Sequence, residues 1–383
     1  MALTGGTGSG KSTIPNGILW ICEKLTRKIW LAAPTGRAAK RMSEICHRKA
    51  FTIHSLLEMD FTKGGFKRGR ENPLGCELLI VDEASMIDTY LMYSLLKAIP
   101  STTRVVFVGD IDQLPSVGPG NVLRDMIDSG VLGIVRLTEI FRQAKGSQIV
   151  TNAHKINKGE FPYLQGDRDF RFIEGETPED IQRILIRLLK SDLPEFDVMK
   201  NVQVLCPMKR GVIGTENLNQ ILQDVLNPSG QPLIRMGRRF HKGDKVMQIR
   251  NNYQKEVFNG DVGFITEIDL AGQVLQVDFQ GKSVPYEFGE FDEIVLAYAV
   301  SIHKYQGSEC PCVIIPIHTS HFKLLYRNLL YTGITRGKRR VILVGSKKAI
   351  AIAVNTEEVQ KRHTGLMHQI REFRALSGQR LPA

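Results

Sequence analysis

The chain has 383 residues, with 51 Lys plus Arg against 40 Asp plus Glu and a net charge of +11. At 42% hydrophobic and 24% charged residues it reads as two or three globular domains, which excludes disordered, collagenous and low-complexity chains. Six sparse cysteines, no apolar run approaching 18 residues and no leader-like start lead to the expectation of a reducing, cytoplasmic setting with no membrane contact.

Residues 1–138 alternate short apolar strands, at Ile29–Ala33, 78–82 and 105–109, with helical patterns. That rhythm belongs to a parallel sheet with helices on both faces. Residues 57–75 interrupt it: two β-prone arms flank Lys63-Gly64-Gly65, predicting a hairpin. A second region begins near Leu137. In it Pro178, followed by Glu179 and Asp180, marks a helix start, and Val202–Cys206 reads as a strand. Residues 241–295 change character. Short alternating strands at 246–249, 262–268, Val274–Phe279 and 284–286 are split by turn residues, a pattern for a small β-barrel. Alternation resumes at 313–317 and 341–345, so the barrel reads as an insertion.

Charge is uneven along these segments. It runs +4 over 1–138, +2 over 139–240, −5 over 241–300 and +10 over 301–383. A charge run is ordinarily a solvated surface, but clustering near one end favours a polyanion-binding face.

Gly5-Gly6-Thr7-Gly8-Ser9-Gly10-Lys11-Ser12 fits the phosphate-loop pattern. Glycines let backbone N–H groups converge on phosphates where a side chain would clash. Gly5, Gly8, Gly10, Lys11, Ser12 and Thr13 are therefore candidate nucleotide ligands. Lys11 would reach the terminal phosphates, and Ser12 would hold Mg²⁺. The strand 78–81 ends in Asp82-Glu83, a place where open α/β sheets bind ligands. There Asp82 would serve Mg²⁺ and Glu83 would polarise an attacking water. After the strand 105–109, Gln113 is a candidate γ-phosphate sensor, because an amide both donates and accepts. Arg142 and Arg336 are candidate charge clamps.

Together these segments resemble the superfamily 1 helicases, in particular their RecD-like branch. Seven motifs stand in family order: 5–13; 33–39 with Thr52-Ile53-His54-Ser55; 81–86; 109–117; 137–143; 297–307; and 330–336. Gly243-Asp244-Lys245-Val246-Met247 and Phe258-Asn259-Gly260-Asp261 resemble the SH3-like insert of that branch. The resemblance implies an α/β fold of two RecA-like P-loop domains with parallel sheets. The first would be 1–138, carrying a β-hairpin pin at about 57–75. The second would be 139–240 with 296–355, interrupted by an SH3-like β-barrel at 241–295. Residues 356–383 would form a C-terminal helix and tail.

The implied activity is ATP- and Mg²⁺-dependent translocation 5′→3′ along single-stranded DNA with unwinding at duplex junctions, in DNA repair or recombination. Pro34, Thr35, Arg37, Thr52, His54, His303 and Gln306 would contact DNA. Alternatives are a DNA-stimulated ATPase that does not unwind, or a truncated, non-catalytic DNA-binding subunit.

Three departures from the family pattern carry expectations. Only Ala2-Leu3-Thr4 precede the phosphate loop, so the first strand is expected to be clipped. Pro15 falls inside the helix expected after Lys11, at a cost of up to about 3 kcal/mol if interior. Gly333 and Gly337 replace alanines and would each cost roughly 1 kcal/mol inside a helix. Trp20 and Trp30 read as packing residues, and Cys310-Pro311-Cys312 as a strand edge rather than half a zinc site.

Overall fold

The structure is a computed structural model. It describes all residues except Ser12, 60–63, 140–145, Asp167, 229–230, Met236, 358–361, His363 and 378–383. The chain divides into two compact units, Met1–Gly146 with Glu358–Ala383, and Ser147–Glu357.

In the first unit the elements run β1 (Ala2–Gly5), α1 (Ile14–Cys22), β2 (Ile29–Ala33), α2 (Gly36–Cys46), β3 (Ala50–Thr52), α3 (Ile53–Leu56), β4 (Leu78–Val81), α4 (Thr89–Ala98), β5 (Arg104–Gly109), α5 (Val122–Asp128) and β6 (Ile134–Leu137). The six strands form one sheet in the order β3-β2-β4-β5-β1-β6, every neighbouring pair parallel. Period-two alternation sorts the strand residues onto two faces. Leu79, Val81 and Phe107 pack with Leu91, Leu95 and Leu123, from α4 and α5. Leu78, Ile80, Val106 and Val108 pack on the opposite face with Leu19 and Met42, from α1 and α2. Both faces are covered, so the strands read as unbroken apolar runs.

The short β1 is paired on both sides: Leu3 lies opposite Val108 and Val135. Four residues therefore make a fully integrated strand. Pro15 also carries no interior penalty. The helix begins at Ile14 rather than Lys11, which puts the proline in its first turn, where no backbone donor is needed. Trp30 packs against the core, but Trp20 is 65% exposed with Lys24 Nζ 4.2 Å from its ring centre. The packing reading of Trp20 is thus wrong: it lies on the outer face of α1. In the 57–75 segment a single antiparallel bridge joins Met59 and Phe66, backed by Lys67 N–H to Glu58 O at 2.9 Å. Residues 60–63, the end of the first arm and the first turn residue Lys63, lie outside the described residues, while the turn glycines Gly64 (φ 69°) and Gly65 (φ 102°) are described.

The second unit comprises α6 (Gln148–Asn157), β7 (Phe170–Glu174), α7 (Pro178–Lys190), α8 (Val198–Asn201), β8 (Val202–Cys206), α9 (Thr215–Leu226), β9 (Leu233–Arg235), β10 (Arg238–Phe240), β11 (Lys245–Gln248), β12 (Val262–Asp269), β13 (Val274–Phe279), β14 (Lys282–Glu287), β15 (Ile294–Leu296), β16 (Ala299–Ser301), β17 (Cys310–Ile317), α10 (Arg327–Ile334), β18 (Gly337–Gly345) and α11 (Lys347–Asn355). A five-stranded sheet, β16-β8-β17-β18-β7, is parallel throughout. Pro178 stands in the first turn of α7, behind a reciprocal Thr177–Asp180 capping box, as its sequence predicts. Gly337 opens β18 and pays no helix penalty. Gly333 is helical, and an added Cβ would lie 3.0 Å from Ile315 and 3.2 Å from Ile302, so its small size seats α10 closely on its neighbours.

The chain of this second unit departs from alternation at β9–β15. There a five-stranded antiparallel sheet, β14-β13-β12-β11-β15, and the separate β9–β10 pair enclose Phe240, Val246, Ile265, Val277, Tyr286 and Phe291. Its root is polar. Asp244 is fully buried and accepts hydrogen bonds from Gln223 Nε2 (2.6 Å), His241 N (2.6 Å), Asn227 Nδ2 (2.8 Å) and Tyr298 Oη (2.8 Å). Those donors come from α9 and from the segments on either side of the antiparallel sheet. The Gly-Asp-Lys run is thereby a structural knot tying that sheet to the α/β body. The last helix, α12 (Leu366–Ser377), belongs to the first unit and packs on α5.

Candidate nucleotide site

Three neighbouring strands of the first unit, β4, β5 and β1, end at the same edge of their sheet and deliver the candidate residues there. At the end of β1 the chain turns through Gly8 (φ 75°) and Gly10 (φ 82°), conformations that a side chain disfavours. Lys11 folds back over this turn. Its Nζ donates to the carbonyls of Gly5 and Gly6, the latter at 2.9 Å, and pairs with Asp110 Oδ2 at 2.8 Å. Asp110 is 1% exposed, which makes this a largely desolvated ion pair. Gln113, itself buried, donates from Nε2 to the same Asp110 oxygen at 3.3 Å. Ser9 Oγ closes the turn onto Gly6 O at 2.7 Å, and Thr13 Oγ1 donates to Gly10 O at 3.1 Å. Ser12 and Arg142 lie outside the described residues.

The end of β4 places Asp82 and Glu83 beside this group. Burial pushes the Asp82 carboxyl up to about 7, and the neighbouring Glu83 carboxylate adds to the rise. Lys11 and Arg41 pull in the opposite direction. Glu83 adopts a left-handed conformation (φ 50°, ψ 39°), which costs a non-glycine residue on the order of 1–2 kcal/mol. Such strain persists only where surrounding structure imposes it, as it does at ligand sites. A half-buried carboxyl held against a second carboxylate is a donor set whose repulsion a divalent cation would relieve, so the residues present fit Mg²⁺.

The residues expected to touch DNA have different settings. In the first unit, Thr35 and Thr52 are N-caps: their hydroxyl oxygens accept from Ala38 N (3.3 Å) and Ser55 N (3.0 Å). Pro34 and Arg37 are half-buried beside Thr35. Burial lowers the His54 pKa, with Asp88 acting the other way; its Nδ1 has no hydrogen-bond partner among the described residues, and its ring lies 5.8 Å from that of Phe66. In the second unit, burial likewise lowers His303, whose Nε2 lies 3.4 Å from Tyr326 Oη, and Gln306 is buried. Arg336 is 3% exposed and donates to Thr332 O (3.1 Å), Ser308 O (3.3 Å) and Thr335 Oγ1 (3.1 Å), using three of its five N–H groups.

Sequence reasoning missed Asp110 as the partner of Lys11. The signal was present: a lone carboxylate directly after the apolar run 105–109, equivalent in position to Asp82 after 78–81. Cys310 and Cys312 lie on β17, and among the described residues no cluster of three or more His, Cys, Asp or Glu could hold a metal. Nor is any described helix long and apolar enough to cross a membrane.

Family models match residues 1–119 (an AAA domain), 218–279 (ATP-dependent RecD-like DNA helicase SH3 domain) and 296–344 (UvrD-like helicase C-terminal domain). The chain is 37% identical over 372 residues to the ATP-dependent RecD2 DNA helicase of Deinococcus radiodurans, covering 97% of this chain but half of that protein. It is 30% identical over 404 residues to the RecBCD enzyme subunit RecD of Mycobacterium tuberculosis, covering 94% of this chain and 68% of the relative. Among solved structures, the Pif1 helicases of Bacteroides (TM-score 0.57, 20% identity, 98% of this chain and 93% of that one) and Candida albicans (TM-score 0.57, 19% identity, 99% and 95%) share its fold. With a phosphate-loop motif, an acidic pair and a buried glutamine beside Asp110 on one parallel sheet, and relatives matched along nearly its whole length, the chain belongs to the RecD-like family of superfamily 1 DNA helicases.

Proposed function

We propose that this chain is the motor of an ATP-driven DNA helicase that moves 5′→3′ along single-stranded DNA and opens duplex junctions, in repair or recombination. The observation that carries the reading is the convergence of Lys11, Asp110, Gln113, Asp82 and Glu83 at one sheet edge, with Lys11 curled over the turn that would receive phosphate. Lys11 already spans that turn, so an incoming triphosphate exchanges backbone carbonyls for phosphate oxygens at its ammonium. Asp82 and Ser12 would hold Mg²⁺, which when bound would neutralise phosphate charge. Glu83 then orients the attacking water, and Gln113 reports the γ-phosphate to Asp110. Arg142 and Arg336 are assigned as the charge clamps, Arg336 through the N–H groups its present contacts do not use.

Pro34, Thr35, Arg37, Thr52 and His54 in the first unit, and His303 and Gln306 in the second, are assigned to DNA. With both imidazole pKa values lowered, His54 and His303 would engage DNA by hydrogen bonding and stacking rather than as cations. The antiparallel sheet of 241–295 is assigned as the SH3-like barrel, and 57–75 as the separating pin.

The test is ATP turnover with and without single-stranded DNA, wild type against Lys11→Ala, followed by strand separation on 5′-tailed and 3′-tailed duplexes. Stimulated turnover lost in K11A, with unwinding of the 5′-tailed substrate, is expected. Turnover without unwinding of either substrate would reduce the activity to that of a DNA-stimulated ATPase. Turnover unchanged in K11A would refute the catalytic assignment.

A further inference from the structure

The loop that follows Gln113 turns its carbonyls inward. Ser116 Oγ donates to the carbonyls of Gly118 (3.1 Å) and Gly120 (3.2 Å), gathering them with its own. Into this cup enters one guanidinium nitrogen. Arg362 Nη1 lies 2.7 Å from Ser116 O, 2.8 Å from Gly118 O and 2.9 Å from Gly120 O. Three converging carbonyl dipoles form a site of negative potential that a cationic donor satisfies more strongly than a neutral one.

The loop is fixed from its other side by α4. Thr89 N donates to Pro119 O at 2.9 Å, and a Cβ at Gly118 would lie 2.0 Å from Asp88 Oδ2, so only glycine allows this approach. Asp88 caps α4, the helix that follows Asp82 and Glu83. The clamped loop thus bridges the acidic pair and the sensor glutamine. Its far end runs through Gln113 and Asp110 to Lys11.

Arg362 arrives with α12, which is seated independently of it. Leu366 and Ile370 pack against the core, Thr364 Oγ1 donates to Asp125 Oδ2 at 2.9 Å, and Arg371 donates to Ser129 O (3.1 Å) and Asp128 O at the C-terminal end of α5, where cations are favoured. In sequence Arg362 stands five residues after Glu357, the last residue of the second unit.

We propose that Arg362 is a positioning residue for nucleotide turnover: through the three carbonyls it holds the 111–121 loop, and with it Gln113, in register with Lys11 and Asp110. This rests on the ATPase reading given above. A misplacement of about 1 Å at a reacting centre costs up to ~100-fold in rate, so a loop held at three points by one side chain is a sensitive place to lose it.

The experiment compares Arg362→Gln, Arg362→Lys and Arg371→Gln in the full chain. Two readouts are taken: steady-state ATP hydrolysis with and without oligo-dT, and amide hydrogen exchange of residues 111–121. R362Q is expected to lower DNA-stimulated kcat about tenfold, leave the KM for ATP within twofold, and raise exchange in 111–121. R362K, whose ammonium also donates to carbonyls, is expected to recover most of both. R371Q, which loosens α12 without touching the loop, is expected to match wild type in kcat. The proposal is overturned if R362Q keeps wild-type kcat, if R371Q loses as much as R362Q, or if exchange in 111–121 is the same in R362Q and wild type. If wild type shows no turnover, the ATPase reading fails by itself, and the exchange measurement still decides whether Arg362 holds the loop.

Discussion

Asp244 offers the sharpest test of how the second unit holds its antiparallel sheet. Replacing it by alanine removes one buried carboxylate and four hydrogen bonds. Two donors keep an acceptor: Gln223 Nε2 still reaches Arg239 O at 2.9 Å, and Asn227 Nδ2 still reaches Lys242 O at 3.0 Å. The His241 amide and the Tyr298 hydroxyl lose theirs, and both groups are buried. At about 1–3 kcal/mol for each orphaned buried donor, the loss is on the order of 2–6 kcal/mol. For a unit of this size each kcal/mol lowers the melting temperature by roughly 2–4 °C. Both tryptophans belong to the first unit, so the assay is denaturant unfolding followed by far-UV circular dichroism, with calorimetry for the transition temperature. Asp244→Asn, which keeps the shape and one acceptor, should fall between wild type and D244A. A loss below about 1 kcal/mol in D244A would refute the idea that this carboxylate ties the sheet to its body.

Asp82→Asn should change stability in a pH-dependent way. Its raised folded-state pKa means that the unfolded chain gives up the proton first, so the carboxyl destabilises the fold progressively from about pH 4 to pH 7 and fully above that. D82N should therefore match wild type at pH 3 and exceed it in stability at pH 8; equal urea midpoints at pH 8 would contradict the burial argument. Glu83→Gly should relieve the left-handed strain and raise the unfolding free energy from urea titration by about 1 kcal/mol while removing ATP turnover. Thr177→Ala breaks the exposed capping box of α7 and should cost about 1 kcal/mol in denaturant unfolding with kcat unchanged.

The basic C-terminal stretch illustrates where sequence reading stopped. Its +10 pointed to a polyanion. Arg336, Arg362, Arg371 and Arg374 also direct donors to backbone carbonyls of their own units. A cation held by carbonyl dipoles and one facing phosphate look alike in the sequence, because composition records charge and not what faces it. Thr35 and Thr52 are similar: motif position assigns them to DNA, and the folded chain adds a local role the motif does not reveal, their hydroxyl oxygens capping helices.

What the sequence determined by itself is the set of local, periodic and motif-bearing features. Strands Ile29–Ala33, Val202–Cys206 and Val274–Phe279 were legible to the residue, because burial on both faces or strict alternation is written into consecutive side chains. The phosphate loop and acidic pair were legible for the same reason: each is contiguous. Tertiary structure decided the rest. It brought Asp110 to Lys11 across 99 residues, Asp244 to Tyr298 across 54, and Arg362 to Ser116 across 246. It also stabilised a four-residue first strand by pairing it on both sides, and moved the start of α1 so that Pro15 falls where a proline is harmless. Those outcomes depend on which distant groups desolvate one another, and that pairing exists only once the chain has packed.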